Sequence, residues 1–186
     1  ELAKMAYSLA KLRFLSRSTV DELVDALRPE LDRLIGSQIS EFLYALAMVD
    51  ARHQLDTVRM LIAQYVDSPG GLKKMSGGSL VDFAWALVAL DLVREFPNEF
   101  KAALDALLER NPPQNRAPLM KFFDVINALD LEYKDLGISV PASWKGACDE
   151  ADRFETERLE SARLHNEVVM RFDNLRIATN GMRWKL

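Results

Sequence analysis

The side chains able to do chemistry are sparse. The chain holds two histidines and one cysteine. His53 and His165 lie far apart, and neither has Cys or carboxylate neighbours at the spacing of a metal site. Cys148 is followed by Asp149 and Glu150, whose charges oppose a thiolate instead of activating one. Lys73 and Lys74 next to Gly77-Gly78 combine ammonium groups with flexible backbone, the ingredients of a phosphate cradle. The spacing is not that of a P-loop, so the stretch reads as a loop. Kinase, G-x-S-x-G and H-E-x-x-H signatures are absent. No catalytic residue, cofactor site or metal site is expected, and the chain reads as a non-enzyme. From Arg163 onward five cations (Arg163, Arg171, Arg176, Arg183, Lys185) face two carboxylates (Glu167, Asp173), an excess of three. Trp184 between Arg183 and Lys185 would suit base stacking beside phosphate contact. A solvated terminal tail is the plainer reading of such a charge run. Candidate RNA or partner contacts are therefore Lys73, Lys74, Arg171, Arg176, Arg183, Trp184 and Lys185.

The elements that must position these groups repeat. Ala45-Leu46-Ala47-Met48-Val49-Asp50 returns as Ala86-Leu87-Val88-Ala89-Leu90-Asp91 and again as Val125-Ile126-Asn127-Ala128-Leu129-Asp130. Ser8-Leu9-Ala10-Lys11-Leu12-Arg13 stands upstream. The starts at 8, 45, 86 and 125 are 37, 41 and 39 residues apart, the period of two-helix repeats that stack. Aromatic residues precede three copies: Phe42 and Tyr44, Phe83 and Trp85, Phe122 and Phe123. They could stack bases, but their helical spacing beside Ala and Leu points to inter-repeat core. The first copy has only Tyr7.

Between the copies lie amphipathic stretches. Val20, Leu23, Val24, Leu27, Leu31 and Leu34 form a 3.6-period stripe, with Ser18 or Thr19 as the cap and Thr19 with Glu22 at capping-box spacing. Pro29 should kink or break that helix. Gly36-Ser37 marks the next boundary. Val58, Leu61, Ile62 and Tyr65 form a second stripe. SPGGLKKMSGGS (68–79) reads as the longest flexible stretch, with Ser79 and Asp82 opening the following helix. Pro97 suits a first helical position, ahead of Phe100, Ala103, Leu104, Leu107 and Leu108. NPPQNRAP (111–118) separates this helix from the last copy. No alternating run bounded by turn residues suggests a strand. The expected fold is all-α: a right-handed-type α-solenoid of two-helix repeats over 1–133, a connector at 134–147, and a long charged C-terminal helix with a basic tail at 148–186. Asp149–Arg153 and Glu167–Arg171 are i,i+4 pairs that support an exposed helix.

Composition narrows the classes. The net charge of −4 shows no strongly basic RNA-binding surface in the total. One cysteine excludes a disulfide framework within the chain. No apolar run reaches the length of a membrane span. Glu1 in place of an initiating Met makes a processed or partial product the expectation, with any targeting segment outside this sequence.

The aromatic-Ala-Leu-Ala/Val motif at this interval resembles octotricopeptide-type repeats and the related helical region of FAST-kinase-like proteins. LAKMAYSLAKL (2–12) is similar to the alanine-rich second helix of such a repeat. Residues 139–172 resemble the segment that precedes a RAP domain in organellar RAP proteins, although a RAP domain itself is not evident. The resemblance implies a mitochondrial matrix location, a plastid being the lesser alternative, and roles in RNA processing, RNA stability, translation or ribosome assembly. It does not imply catalysis. Two function classes follow. One is an RNA-associated scaffold component of a mitochondrial ribosome or RNA-processing complex. The other is a purely protein-binding structural subunit of a respiratory complex or ATP synthase. The RNA class predicts Lys or Arg at matching positions of successive copies. Arg52 and Arg94 follow two copies, but Leu131 and Glu132 follow the third.

Overall fold

The computed structural model describes residues 1–67 and 71–181, with side-chain surroundings through residue 161. Among these the chain is all-helical: α1 Leu2–Lys11, α2 Arg17–Leu27, α3 Gly36–Met48, α4 Leu55–Val66, α5 Gly71–Lys74, α6 Gly77–Ala89, α7 Pro97–Leu108, α8 Arg116–Leu131 and α9 Ala142–Gly181. No helix among the described residues is long and apolar enough to cross a membrane. Glu1–Cys148 form one compact unit, and a second begins at Asp149.

The four sequence copies are α1, α3, α6 and α8. They pack in chain order, α1 on α3, α3 on α6 and α6 on α8. Three of them also pack the amphipathic helix that follows: α1 with α2, α3 with α4, α6 with α7. Small residues at matching places allow this close approach. Ala6, Ala45, Ala86 and the larger Val125 lie within two positions of one another in the motif frame, and all are buried. Larger side chains fill the space between, as dense interiors require. The rings of Tyr65 and Phe83 stack 4.0 Å apart at 6°.

Helix boundaries follow local chemistry, with two corrections to the sequence reading. The cap of α2 is Ser16, not Ser18 or Thr19. Ser16 is extended (φ −108°, ψ 164°) and its hydroxyl accepts the Thr19 N–H at 3.2 Å. Thr19 is thereby already inside the first turn. Ser76 likewise caps α6 by accepting the Ser79 N–H at 3.1 Å, which leaves Asp82 free to turn inward. The glycines Gly77 and Gly78 open this helix instead of forming a loop, and Gly71–Lys74 form the short α5; residues 68–70 lie outside the described set. Pro29 does end α2, in a 3-10 turn over Arg28–Arg33. Gln38 accepts the Ile35 N–H at 3.1 Å to start α3. Pro97 stands at the first position of α7, and Asn115 caps α8.

The first three copies end alike. Arg13, Asp50 and Asp91 adopt left-handed backbone, with φ of 58°, 51° and 58°. Each is followed by an N–H that reaches back five residues: Phe14 to Leu9, Ala51 to Leu46 and Leu92 to Leu87, at 2.8–2.9 Å. These bonds satisfy carbonyls that a helix end leaves open. The fourth copy differs, because α8 runs through Asp130 to Leu131.

Residues 142–147, within the 134–147 stretch, belong to the start of α9. The Pro141 carbonyl accepts the N–H groups of Trp144 and Lys145. Trp144 is 1% exposed, donates Nε1–H to the Arg110 carbonyl at 2.9 Å and meets Phe122 edge-on at 5.1 Å. In the second unit, Arg158 and Glu155 pair one turn apart at 2.5 Å.

Candidate functional site

The aromatic pairs before the motif divide between two surroundings. Phe42, Phe83 and Phe122 are 0% exposed. Trp85 and Phe123 are only partly buried. Two residues along a helix turn about 200° around its axis, so the two members of the pairs at 42/44 and 83/85 point to opposite faces. The second face carries a ladder. Tyr7 and Tyr44 have ring centroids 5.1 Å apart, and Tyr44 and Trp85 5.2 Å apart. Trp85 donates Nε1–H to Asp124 at 3.1 Å. Tyr7, Tyr44, Trp85 and Asp124 each stand one residue before the motif core, so the ladder follows the repeat register.

One turn earlier in that register stand Lys4, Glu41, Asp82 and Lys121. Asp82 is 6% exposed. Its carboxylate accepts from the Tyr7 hydroxyl at 3.1 Å and is ion-paired with Lys121. The Lys121 ammonium also lies 4.2 Å from the Tyr44 ring centroid and 5.7 Å from that of Tyr7. One side chain from each of α1, α3, α6 and α8 thus meets at a single point. A buried charge persists only when paired and hydrogen-bonded, and this carboxylate has both. Burial, and then the Asp82 charge, push the Tyr7 phenol well above its ordinary range. The same causes in the same order raise Tyr44. Both phenols therefore stay protonated, Tyr7 as a donor to Asp82. The cluster is a closed, charge-balanced knot between helices. Repeat alignment of positions 4, 41, 82 and 121 would have exposed part of it in the sequence.

The sequence candidates are not gathered at this point. Lys73 and Lys74 are exposed on α5. Lys73 reaches Glu109 at 3.8 Å and lines a cavity of about 530 Å³ with Leu72, Ala102, Asp105 and Ala106. Arg110 fastens this corner by donating to the carbonyls of Met75 and Lys73 at 2.6 and 2.8 Å. Arg171 and Arg176 fall in α9 where only the backbone is described, and Arg183, Trp184 and Lys185 lie outside the described residues.

The remaining reactive candidates have structural surroundings. His53 Nε2 lies 2.7 Å from Asp21, which also accepts from Gln54 at 2.7 Å. The hydrogen bonds from Gln54 and His53 hold the Asp21 carboxyl below its ordinary range. Cys148 is buried. Among the described residues no group of three or more His, Cys, Asp or Glu side chains is placed to hold a metal ion. Arg17 pairs with Asp50 at 3.3 Å, Arg59 with Glu95 at 2.6 Å and Arg94 with Asp135 at 3.0 Å. These bridges span 33, 36 and 41 residues, close to the repeat interval. Comparisons with protein-family models, with curated proteins and with solved structures give no match.

Proposed function

We propose that this chain is a non-catalytic scaffold, a right-handed-type α-solenoid of two-helix repeats, within a mitochondrial ribosome or RNA-processing complex of the matrix. The carrying observation is the register. Four equivalent helices pack in chain order, and matching side chains meet across them. Repeat stacking of this kind makes an extended surface suited to holding partners. The RNA and the organelle come from the resemblance to octotricopeptide-type and FAST-kinase-like repeats.

A second reading, a purely protein-binding subunit of a respiratory complex or ATP synthase, is favoured by the charge pairing. Arg17, Arg59, Arg94, Lys73 and Lys121 each face a carboxylate. Cations so occupied offer less to phosphates, whose neutralisation dominates nucleic-acid affinity. Sedimentation of the native protein from an organelle lysate, with and without ribonuclease, separates the two. Movement from heavy to light fractions after ribonuclease supports the RNA-dependent assembly. A heavy position indifferent to ribonuclease supports the protein-only reading, and a light position in both contradicts scaffolding altogether.

A further inference from the structure

Asp82 stands apart from the residues that share its place in the repeat. Lys4 is exposed, Glu41 and Lys121 are partly so, and Asp82 is buried. Its carboxylate is fixed from one side: the Tyr7 hydroxyl of α1 donates to Oδ2 at 3.1 Å, which leaves Oδ1 for the Lys121 ammonium. Tyr44 of α3 adds a ring face. It is 7% exposed and wedged between Tyr7 at 5.1 Å and Trp85 at 5.2 Å. The Lys121 nitrogen lies 4.2 Å from the Tyr44 centroid and 5.7 Å from that of Tyr7. A carboxylate set beside aromatic faces is the chemistry that recognises an ammonium group. Here α1, α3 and α6 supply every part of it.

The cation alone comes from elsewhere. Lys121 belongs to α8, which among the motif helices packs chiefly on α6. Its side chain keeps 16% exposure against 8% for Asp82, so the stem leads from the surface down to the carboxylate. Lys11 also lies over the Tyr7 ring, 4.8 Å from its centroid, but it is exposed. Among the described residues Asp82 accepts from Tyr7 and Lys121.

We propose that α1, α3 and α6 build a binding site for a primary alkylammonium, the head group of a lysine side chain, and that α8 occupies it with Lys121 as a built-in ligand. The site is self-blocked in the native chain and opens when Lys121 is withdrawn. It demands an N–H donor for Oδ1, so a quaternary ammonium, which has none, fits it poorly. The proposal is independent of the scaffold reading.

The test is to empty the site and refill it. Lys121→Ala removes the atoms of an n-propylammonium ion, and Lys11→Gln in the same chain keeps the neighbouring ammonium from taking their place. Titrated with n-propylammonium chloride, this variant should bind saturably in roughly the millimolar range, as suits so small a ligand. Its Tm should rise by about 3–5 °C at ten times the dissociation constant. n-Propanol, tetramethylammonium chloride and sodium chloride at equal concentration should not reproduce the rise. Neither should n-propylammonium added to the unsubstituted chain, or to the variant that also carries Asp82→Asn. No specific rise, or an equal rise with Asp82→Asn, overturns the proposal. Should the variant be unfolded in plain buffer, refolding in n-propylammonium but not in n-propanol is the supporting result, and failure to refold in either is the overturning one. Proton NMR of the unsubstituted chain gives a second readout. The Lys121 Cε protons should be shielded by the Tyr44 ring and return to the ordinary lysine position in Tyr44→Leu; unshielded protons in the unsubstituted chain would leave the site without its resident and overturn the assignment.

Discussion

The enclosed copies of the motif, α3 and α6, differ from the first copy in this sequence, α1, in cover more than in sequence. Leu-Ala recurs in α1 and α3 (Leu9-Ala10, Leu46-Ala47), and both helices end on a left-handed residue. Yet Phe42 and Phe83 are sealed while Met5 is 46% exposed. Burial at a repeat position is thus set by the neighbouring helix. A periodic sequence specifies the helix and its apolar face, but not whether another element lies against that face. The fourth copy, α8, departs at its end: Asp130 stays helical where Arg13, Asp50 and Asp91 turn left-handed.

Substitutions can break or sharpen this comparison. The largest effect is expected at the sealed aromatic. Phe83→Ala should cost about 3–5 kcal/mol in denaturant unfolding, as cavity creation at a buried aromatic does. Met5→Ala at the matching place should cost about 0.5 kcal/mol or less, and equal losses would contradict the difference in cover. Next is the charge knot. Lys121→Met leaves the buried Asp82 carboxylate with only the Tyr7 hydroxyl, and should cost about 3 kcal/mol. Adding Asp82→Asn should recover part of that loss, so the double variant falls short of additivity by about 1–3 kcal/mol; strict additivity would mean the pair does not interact.

Trp85 comes third. It is half-buried, with one hydrogen bond to Asp124 and a ring contact to Tyr44. Trp85→Ala should therefore cost about 1–2 kcal/mol, less than Phe83→Ala. A smaller effect of opposite sign is expected at the helix ends. Arg13→Gly relieves left-handed strain and should stabilise by about 1 kcal/mol. Asp130→Gly, in helical backbone, should destabilise by about 0.3 kcal/mol. Thermal unfolding of both variants checks the sign.

The smallest effects are in pH. Glu95 is held below its ordinary range by the hydrogen bonds and charge of Arg59, Asp135 chiefly by the Arg94 hydrogen bond, and Asp21 by Gln54 and His53. A depressed carboxyl stabilises the fold above its unfolded value, about 4, and that contribution disappears as pH falls through the folded value. These side chains are exposed, so the acid-side loss should be slight. At the alkaline side Tyr133 is pushed up to about 12, by burial and then by its hydrogen bond to Asp91. A raised phenol contributes stability below its unfolded value, about 10, and loses it as pH rises towards 12. Phenolate absorbance during alkaline titration should rise late for all four tyrosines, because Tyr7, Tyr44 and Tyr65 are raised by burial as well; titration near 10 would contradict the burial.

Much of the fold is legible in the sequence. The 37-, 41- and 39-residue intervals locate all four motif helices, and Pro29 and Pro97 mark the end of α2 and the start of α7, two of the intervening helices, as proline chemistry requires. The caps were harder to place. Ser16, Ser18 and Thr19 all satisfy the cap preference, and only extended backbone at Ser16 decides among them. The four-residue α5 is too short to show a period. The start of α9 lacks the charge pattern of its later turns, so in the sequence Trp144 reads as connector. The charge knot was half visible. Asp82 and Lys121 stand 39 residues apart in matching positions, but Tyr7 reaches Asp82 across 75 residues. That contact passes over α3 to join α1 with α6, which no local pattern encodes. The basic candidates of the tail lie outside the residues whose side chains are described.

Hydrogen–deuterium exchange tests the contrast between enclosed and open copies most directly. The amides of α3 (36–48) and α6 (77–89) should exchange only through global unfolding, because neighbours seal both helices. Those of α1 (2–11) should exchange faster, by local opening from the uncovered face. Equal protection of α1 and α6 would contradict the account.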